Sequence, residues 1–418
     1  MSSADFTPPD IHRRRFLKAA GVTVAAGSMW RLTPLAHAAE AGTPSADQVA
    51  MGKDSRLIVH NSRTVVLETP TPLLRGQDLT PKDRFFVRNN QLLDGAATVE
   101  PRSLEGWKVQ IGGLVERPAV IDAADLRDMP QHEVKMVMQC SGNGRSYYGK
   151  YSVKTKGTQW QNGGMGQAVY RGVPLSAVMD KFGINPGAKA TYLTANGVDE
   201  PSATAKRPDF EHSVPVDDAL EYGILALEMN GEPLPAIHGG PVRFILPGYY
   251  GTMNVKWIGS LRFDAHETYN YNQIPRYRTP SRPIEAGTRI EYTFENSVPN
   301  WRQKVKSMFF GPLDGDKVRA GEVKVHGVAW NDGVVPVEAV LVSADKGATW
   351  QQAMLSRPDS PYAWYEWQGT VKLPAGSHEL WVRAVDTLGR SQPIDGSIHW
   401  NPSGYEWFGV ERIGVTAA

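Results

Sequence analysis

"VMQCSGNGRSYYGKYS", residues 137–152, holds the only cysteine in 418 residues, Cys140. The run leading into it, "EVKMVMQC" (133–140), alternates like a strand, and "SGNGR" breaks it. A strand end, a thiol, a loop of small residues and Arg145 therefore fall together. A glycine-rich turn presents backbone N–H groups to an anion, and a thiolate is favoured beside cations and suits soft or high-valent metal centres. The residues alone leave several readings open: an inert core thiol, an intermolecular cross-link, a ligand in an anionic-cofactor site, or a cysteine nucleophile that lacks an adjacent histidine base.

The rest of the chain narrows the classes. Lys+Arg number 45 against Asp+Glu 44, a formal charge of +1, which argues against a dedicated nucleic-acid binder. There is no CxxC, no HExxH and no C-x-x-C-H, so a classical zinc site and a covalent haem are not expected in this chain. Near the N-terminus, Arg13-Arg14-x-Phe16-Leu17-Lys18 resembles a twin-arginine export signal, and Ala36-His37-Ala38 is an A-x-A-like cleavage site. The apolar stretch between them is shorter than the ~18–20 residues that span a membrane. We expect a removed signal over 1–38 and a periplasmic destination, with no membrane association beyond export. In that oxidising compartment a lone cysteine has no intrachain partner.

Past the signal, 39–80 is polar and proline-punctuated and reads as an extended lead-in. "DRFFVRNN" (83–90) reads as a short strand and "WKVQIGGLV" (107–115) as a strand and turn. Helices are expected at "DAADLRDMP" (122–130), "PLSAVMDKFG" (174–183) and "PVDDALEYG" (215–223), and strands at "ATYLTANG" (190–197) and "PVRFILPGYYG" (241–251). Short helices mixed with strands, without a βαβ rhythm, indicate an α+β unit. After about residue 280 the texture changes. "GEVKVHGVAWNDG", "PVEAVLVSADKGATWQQAML", "YAWYEWQGTVKLPAG" and "SHELWVRAVDTLGR" are alternating runs split by turn residues, the pattern of an immunoglobulin-like sandwich. Trp330, Trp350, Trp367 and Trp381 are expected in its core and strand packing.

"QCSGNGR" resembles the cysteine motif of the sulfite oxidase family, molybdenum-cofactor enzymes in which one protein thiolate binds the metal. "FFVRNN", "GTQWQNGGMG", "NGVD", "ALEMNGEPLPAIHGGPVR", "PGYYGTMNVKWIGSL" and "IPRYRTP" follow in the family's order, so the likeness spans roughly residues 60 to 410. The resemblance implies an α+β molybdopterin domain over 81–278 and an all-β immunoglobulin-like dimerisation domain over 279–418, hence a homodimer. It implies that Cys140 binds molybdenum. Phe86, Arg88, Asn89 and Asn90 would line the pterin and metal region. Asp199, His238, Arg243 and Asn254-Val255-Lys256 would hold the pterin and its phosphate. Arg88, Arg145, Trp160 and Tyr277 would surround the substrate. The cofactor would be Mo-molybdopterin without an appended nucleotide.

The implied reaction is oxidation of sulfite to sulfate, with electrons leaving to a separate periplasmic c-type cytochrome, since this chain shows no haem motif. Guanidinium groups give planar, charge-assisted donors that suit a small oxyanion. Two departures bear on the substrate. Asn90 stands where the family often has histidine, and in "HWNPSGYEW" (399–407) Ser403 stands where some relatives place an arginine of the sulfite pocket. Two other readings are kept: a molybdopterin-dependent reductase of sulfoxides such as oxidised methionine, and a non-catalytic secreted binding protein.

Overall fold

The computed structural model describes residues 43–199 and 209–418. The twin-arginine stretch and the Ala36-His37-Ala38 site lie outside the described residues. Among the described residues, no helix is long and apolar enough to cross a membrane.

Two five-stranded sheets build the first part. One runs in the order Ala119–Asp122, Lys108–Gly113, Ile258–Asp264, Tyr192–Gly197, Glu211–Pro215. The other runs Glu232–Pro233, Ile224–Met229, Met165–Pro174, His132–Gln139, with Arg243–Ile245 also paired to Ile224–Met229. Ile111, Leu193, Leu225, Phe244, Ile258 and Phe263 belong to one continuous core, closed by the helices Leu175–Phe182 and Val216–Tyr222. The strand His132–Gln139 starts exposed and ends wholly buried, antiparallel to Met165–Pro174 with Gln139 opposite Met165. That burial gradient delivers Cys140 to the interior.

The second part is the expected sandwich. Lys306–Gly311, Gly321–Trp330 and Tyr365–Leu373 form one face; Val337–Ser343, Gly376–Asp386 and Glu411–Ala417 form the other. Along Gly321–Trp330, Val323 and Val325 point inward while Glu322, Lys324 and His326 are exposed, the period-two signature of a half-buried strand. Trp330, Trp367 and Trp381 are buried, and Trp350 is half-buried. Trp330 does more than fill the sandwich. Its ring packs with Val137 and Met165 of the first part, and its Nε1–H donates to Gln139 Oε1 at 2.8 Å. A buried indole N–H takes an acceptor where it can; here the acceptor is the residue before Cys140. The sandwich therefore buttresses the strand that carries the thiol.

Two expectations need correction. The segment read as an extended lead-in forms its own small core, in which Ala46, Leu57, Val65 and Leu67 pack on Val87 and Ile237, with a hairpin of Ile58–Asn61 and Val66–Glu68. "DRFFVRNN" is not a strand: only Val87 makes a bridge, to Leu67. A strand would alternate its side chains between two faces, whereas Phe86, Arg88, Asn89 and Asn90 all border the same cavity.

Candidate molybdopterin site

Cys140 leaves its strand into a turn pinned from both sides. Its N–H donates to Gly164 O at 2.8 Å, Asn143 N–H returns to Cys140 O at 2.9 Å, and Gly164 N–H donates to Asn143 Oδ1 at 3.0 Å. From the C-terminal part, Glu406 N–H latches Ser141 O at 2.8 Å. Gly142 N–H points at the sulfur, 3.4 Å from Sγ. Among the described residues no three His, Cys, Asp or Glu gather as a metal cluster, and Cys140 faces its cavity as the lone thiol.

That cavity combines apolar and charged walls. Phe85, Phe86, Met138 and Trp257 give it apolar walls; Asp199, His238, Arg243 and Lys256 line it with charge or imidazole. Arg243 is buried and donates through Nε to Asn254 O and through Nη1 to His238 O, each at 3.0 Å. Lys256 Nζ donates to Asn89 Oδ1 and Ile237 O, each at 2.7 Å. Burial, followed by the nearby Arg243, drives Lys256 well below its usual range, and burial lowers Arg243 as well. Burial, then Lys53 and Lys256, pushes His238 well below the histidine range. Burial raises Asp199 to about 7. Several basic groups thus crowd one end of a buried cavity that, among the described residues, contains a single carboxyl. Charge unbalanced in this way is costly in a low-dielectric interior, and an anionic group such as a phosphate removes the cost. The pocket fits a molybdopterin: apolar faces for a flat ring, a carboxyl able to accept from ring N–H groups, a basic end for phosphate, and a thiol for the metal.

Several expected residues act at one remove. Asn254 spends its amide on the loop before it, accepting from Leu246 N–H at 2.8 Å and donating to Tyr250 O at 3.0 Å. Its contribution is to place Arg243. Val255 points into the core of the first part. Asn89 holds Lys256 with its oxygen and the N-terminal hairpin, at Thr64 O, with its nitrogen. Trp160 is fully buried, edge-on to His60 and Phe86. It borders neither the inner cavity nor the mouth, a correction to its placement around the substrate: the ring forms the wall behind Phe86.

A wider vestibule meets the inner cavity at Cys140, and both are bordered by Arg88, Asn89, Asn90 and Tyr277. Among the described residues, the vestibule carries Arg63, Arg88, Arg145, Lys156 and Arg276 against one carboxylate, Glu291. Tyr277 adopts φ 52° and stacks on Tyr405, ring centroids 4.9 Å apart. Burial raises its phenol, but Arg88 and Arg276 outweigh burial and hold it below the ordinary tyrosine value. Asn90 bridges the pair: Oδ1 accepts from Arg88 Nη2, and Nδ2 donates to Tyr277 Oη at 2.9 Å. The amide that replaces the family's histidine thus ties the arginine to the phenol.

Arg145 is buried by a different device. Nε donates to Ser403 O at 3.1 Å and Nη1 to Thr158 O at 2.8 Å, and the guanidinium lies over Tyr405. The slot is walled by glycines: a Cβ on Gly142 or Gly404 would lie 2.7 Å from Arg145 atoms, and one on Gly157 would lie 3.0 Å away. Ser403 does border the vestibule, and its backbone carbonyl holds Arg145. Arg276 brings a cation that the sequence reading passed over, although "IPRYRTP" contained it. Tyr405 and the glycine slot were also missed, because nothing local ties residues 403–405 to residue 145.

The profile described as "Oxidoreductase molybdopterin binding domain" matches residues 96–272, and that of the "Mo-co oxidoreductase dimerisation domain" matches 298–413. The chain is 32% identical to mitochondrial sulfite oxidase of Macaca fascicularis over 396 residues, covering 92% of this chain and 70% of that protein. Against the human enzyme it is again 32% identical, covering 88% and 67%; the chain thus spans about two thirds of these animal relatives. Sulfite oxidase of Arabidopsis thaliana is 28% identical, covering 81% and 88%. The sulfane dehydrogenase SoxCD of Paracoccus pantotrophus shares the fold at a TM-score of 0.69 and 23% identity, over 91% of this chain and 92% of that one. With the cysteine-bearing cavity, its basic end and the sandwich all in place, the chain belongs to the sulfite oxidase family of molybdopterin oxidoreductases.

Proposed function

We propose that this chain oxidises sulfite to sulfate at a molybdopterin held by Cys140, and passes the electrons singly to a c-type cytochrome. One observation carries the reading. Cys140 sits where an inner cavity with a basic end meets a vestibule that, among the described residues, bears five cations and one carboxylate. When bound, the molybdenum centre supplies the two-electron step in which sulfite gains an oxygen originating in water and releases two protons; this chemistry belongs to the cofactor.

The chain's own residues hold and orient the anion. Arg145 has committed Nε and Nη1 to carbonyls, so Nη2 is left for an oxyanion. Arg88 and Arg276 add charge beside Tyr277. Tyr277 Oη already accepts from Asn90, so its own proton is available to substrate. These are charge-assisted donors with fixed geometry, which suit a small tetrahedral product and its pyramidal precursor. The twin-arginine-like signal supports export to the periplasm, where c-type cytochromes reside, and the match to a dimerisation domain supports a homodimer.

The sulfoxide-reductase reading has less support, because that branch resembles the first domain alone and this chain also matches over 298–413. The binding-protein reading leaves the buried cations without a purpose. The deciding experiment combines metal analysis with turnover of sulfite and cytochrome c. About one molybdenum per chain with sulfite-dependent cytochrome reduction is the expected result. Metal without sulfite turnover overturns the substrate, and no metal from cofactor-competent cells overturns the enzyme.

A further inference from the structure

Lys53 lies in the N-terminal segment, outside the residues matched by either family profile. It is 2% exposed, among the least accessible charged side chains described. Its Nζ has three neighbours at hydrogen-bonding distance: Lys82 O at 2.5 Å, Phe85 O at 2.7 Å and His238 Nε2 at 3.3 Å. An ammonium has three donors and no acceptor, so three acceptors complete it. The count closes only if His238 Nε2 offers a lone pair.

We propose that Lys53 is a positioning residue that fixes the tautomer of His238, so that its Nδ1–H is the donor turned to the cofactor's anionic end. Nε2 also lies 3.2 Å from Lys82 O, but the ammonium bridges those two acceptors and makes a bond between them unnecessary. His238 lines the inner cavity, and no described residue takes a hydrogen bond from Nδ1. The ring is also held in place edge-on to Phe85, 5.5 Å between centroids, and the carbonyl of that same residue accepts from Lys53. A cation against Nε2 further keeps the imidazole neutral, in line with the direction in which His238 is displaced. The ring nitrogen that faces a ligand is set by the bond the other nitrogen makes. Here a lysine takes the setting role that a carboxylate or carbonyl fills elsewhere, and with the opposite polarity: it demands an acceptor and so releases a donor. Only the identity of the anion rests on the molybdopterin reading; the tautomer rests on the contacts alone.

Nitrogen-15 NMR of histidine-labelled protein at pH 6 tests this directly, below the value of about 7 to which burial brings Lys53. The expected spectrum has His238 neutral, with Nδ1 protonated and Nε2 bare. A proton on Nε2, alone or together with Nδ1, overturns the proposal. In Lys53→Met, Nε2 is expected to gain a proton and donate to Lys82 O. Pterin content after dialysis should then fall on the order of tenfold, the usual cost of losing a partner that orients a ligand, while circular dichroism stays unchanged. A variant that keeps the Nδ1–H tautomer and full pterin content also overturns it. Wild-type protein that has the expected tautomer but no pterin would sink the molybdopterin reading and leave the role of Lys53 intact. If Lys53→Met does not fold, the wild-type spectrum still decides.

Discussion

The inner end of the site and its mouth solve opposite problems. At the inner end, Lys53, His238, Arg243 and Lys256 are driven toward neutrality by burial, and their hydrogen bonds run mostly to backbone carbonyls of 82–85 and 237–254. At the mouth, Arg145 is buried while Arg63, Arg88, Lys156 and Arg276 keep access to water; Arg88 is aimed by Asn90, and Arg145 by Thr158, Ser403 and Tyr405. In the proposed function the inner end is a socket for a ligand that stays, a reading its unbalanced charge supports. In the proposed function the mouth binds and releases an anion each turnover, and most of its cations are partly solvated, which costs less to leave empty.

Substitutions can break that comparison, the largest effect first. Cys140→Ser stands at the junction of the two regions. Sulfite turnover is expected to fall by more than the roughly 10–100-fold that partner changes cost at metal sites, with an unchanged melting temperature; unchanged turnover would exclude ligation. Arg88→Met tests the mouth from a residue that borders both regions. The loss of a charge-assisted bond worth about 1.5–3 kcal/mol predicts a KM for sulfite raised about 10–100-fold, with pterin content held. Loss of pterin instead would assign Arg88 to the inner end.

Gly404→Ala probes the slot around Arg145 from the C-terminal part. Its Cβ would meet Thr155 Oγ1 first and then Arg145 Cγ at 2.7 Å, from a backbone at φ +67°. Stability should drop by about 1–2 kcal/mol and KM should rise about tenfold. A stability loss without a KM change would show that the slot serves packing only.

The smallest effect sharpens the contrast in charge. In cofactor-free protein, burial brings Lys53 to about 7 and Lys306, whose Nζ has no hydrogen-bond partner, to about 8, while Lys256 lies well below the ordinary 10.5. Between about pH 7 and 10 the unfolded chain therefore holds more protons than the native one, and stability rises with pH by up to about 1.4 kcal/mol per unit for each such lysine. Bound cofactor should flatten the part due to Lys53 and Lys256 by supplying counter-charge, and leave that of Lys306 in the sandwich. Denaturant midpoints across that pH range, with and without cofactor, measure both; equal slopes would remove the argument for a phosphate.

The difference between the regions also governs what could be read beforehand. The sequence by itself determined the thiol and its turn, the order of the cofactor motifs, and the change from an α+β unit to an alternating β sandwich, because each is written in local spacing and burial period. It also grouped Asp199, His238, Arg243 and Lys256, which line one cavity, for the same reason: they sit in contiguous motifs. It misplaced Trp160 and Val255, whose neighbours do not tell a wall from a lining, and it took 83–90 for a strand when five of its residues border one cavity. Only the tertiary structure decided that Lys53 reaches His238 across 185 residues, that Trp330 braces Gln139, and that Ser403 and Gly404 enclose Arg145. Those contacts join segments far apart in the chain. Their energy comes from closing hydrogen bonds and packing in a common interior, which no short window of sequence contains.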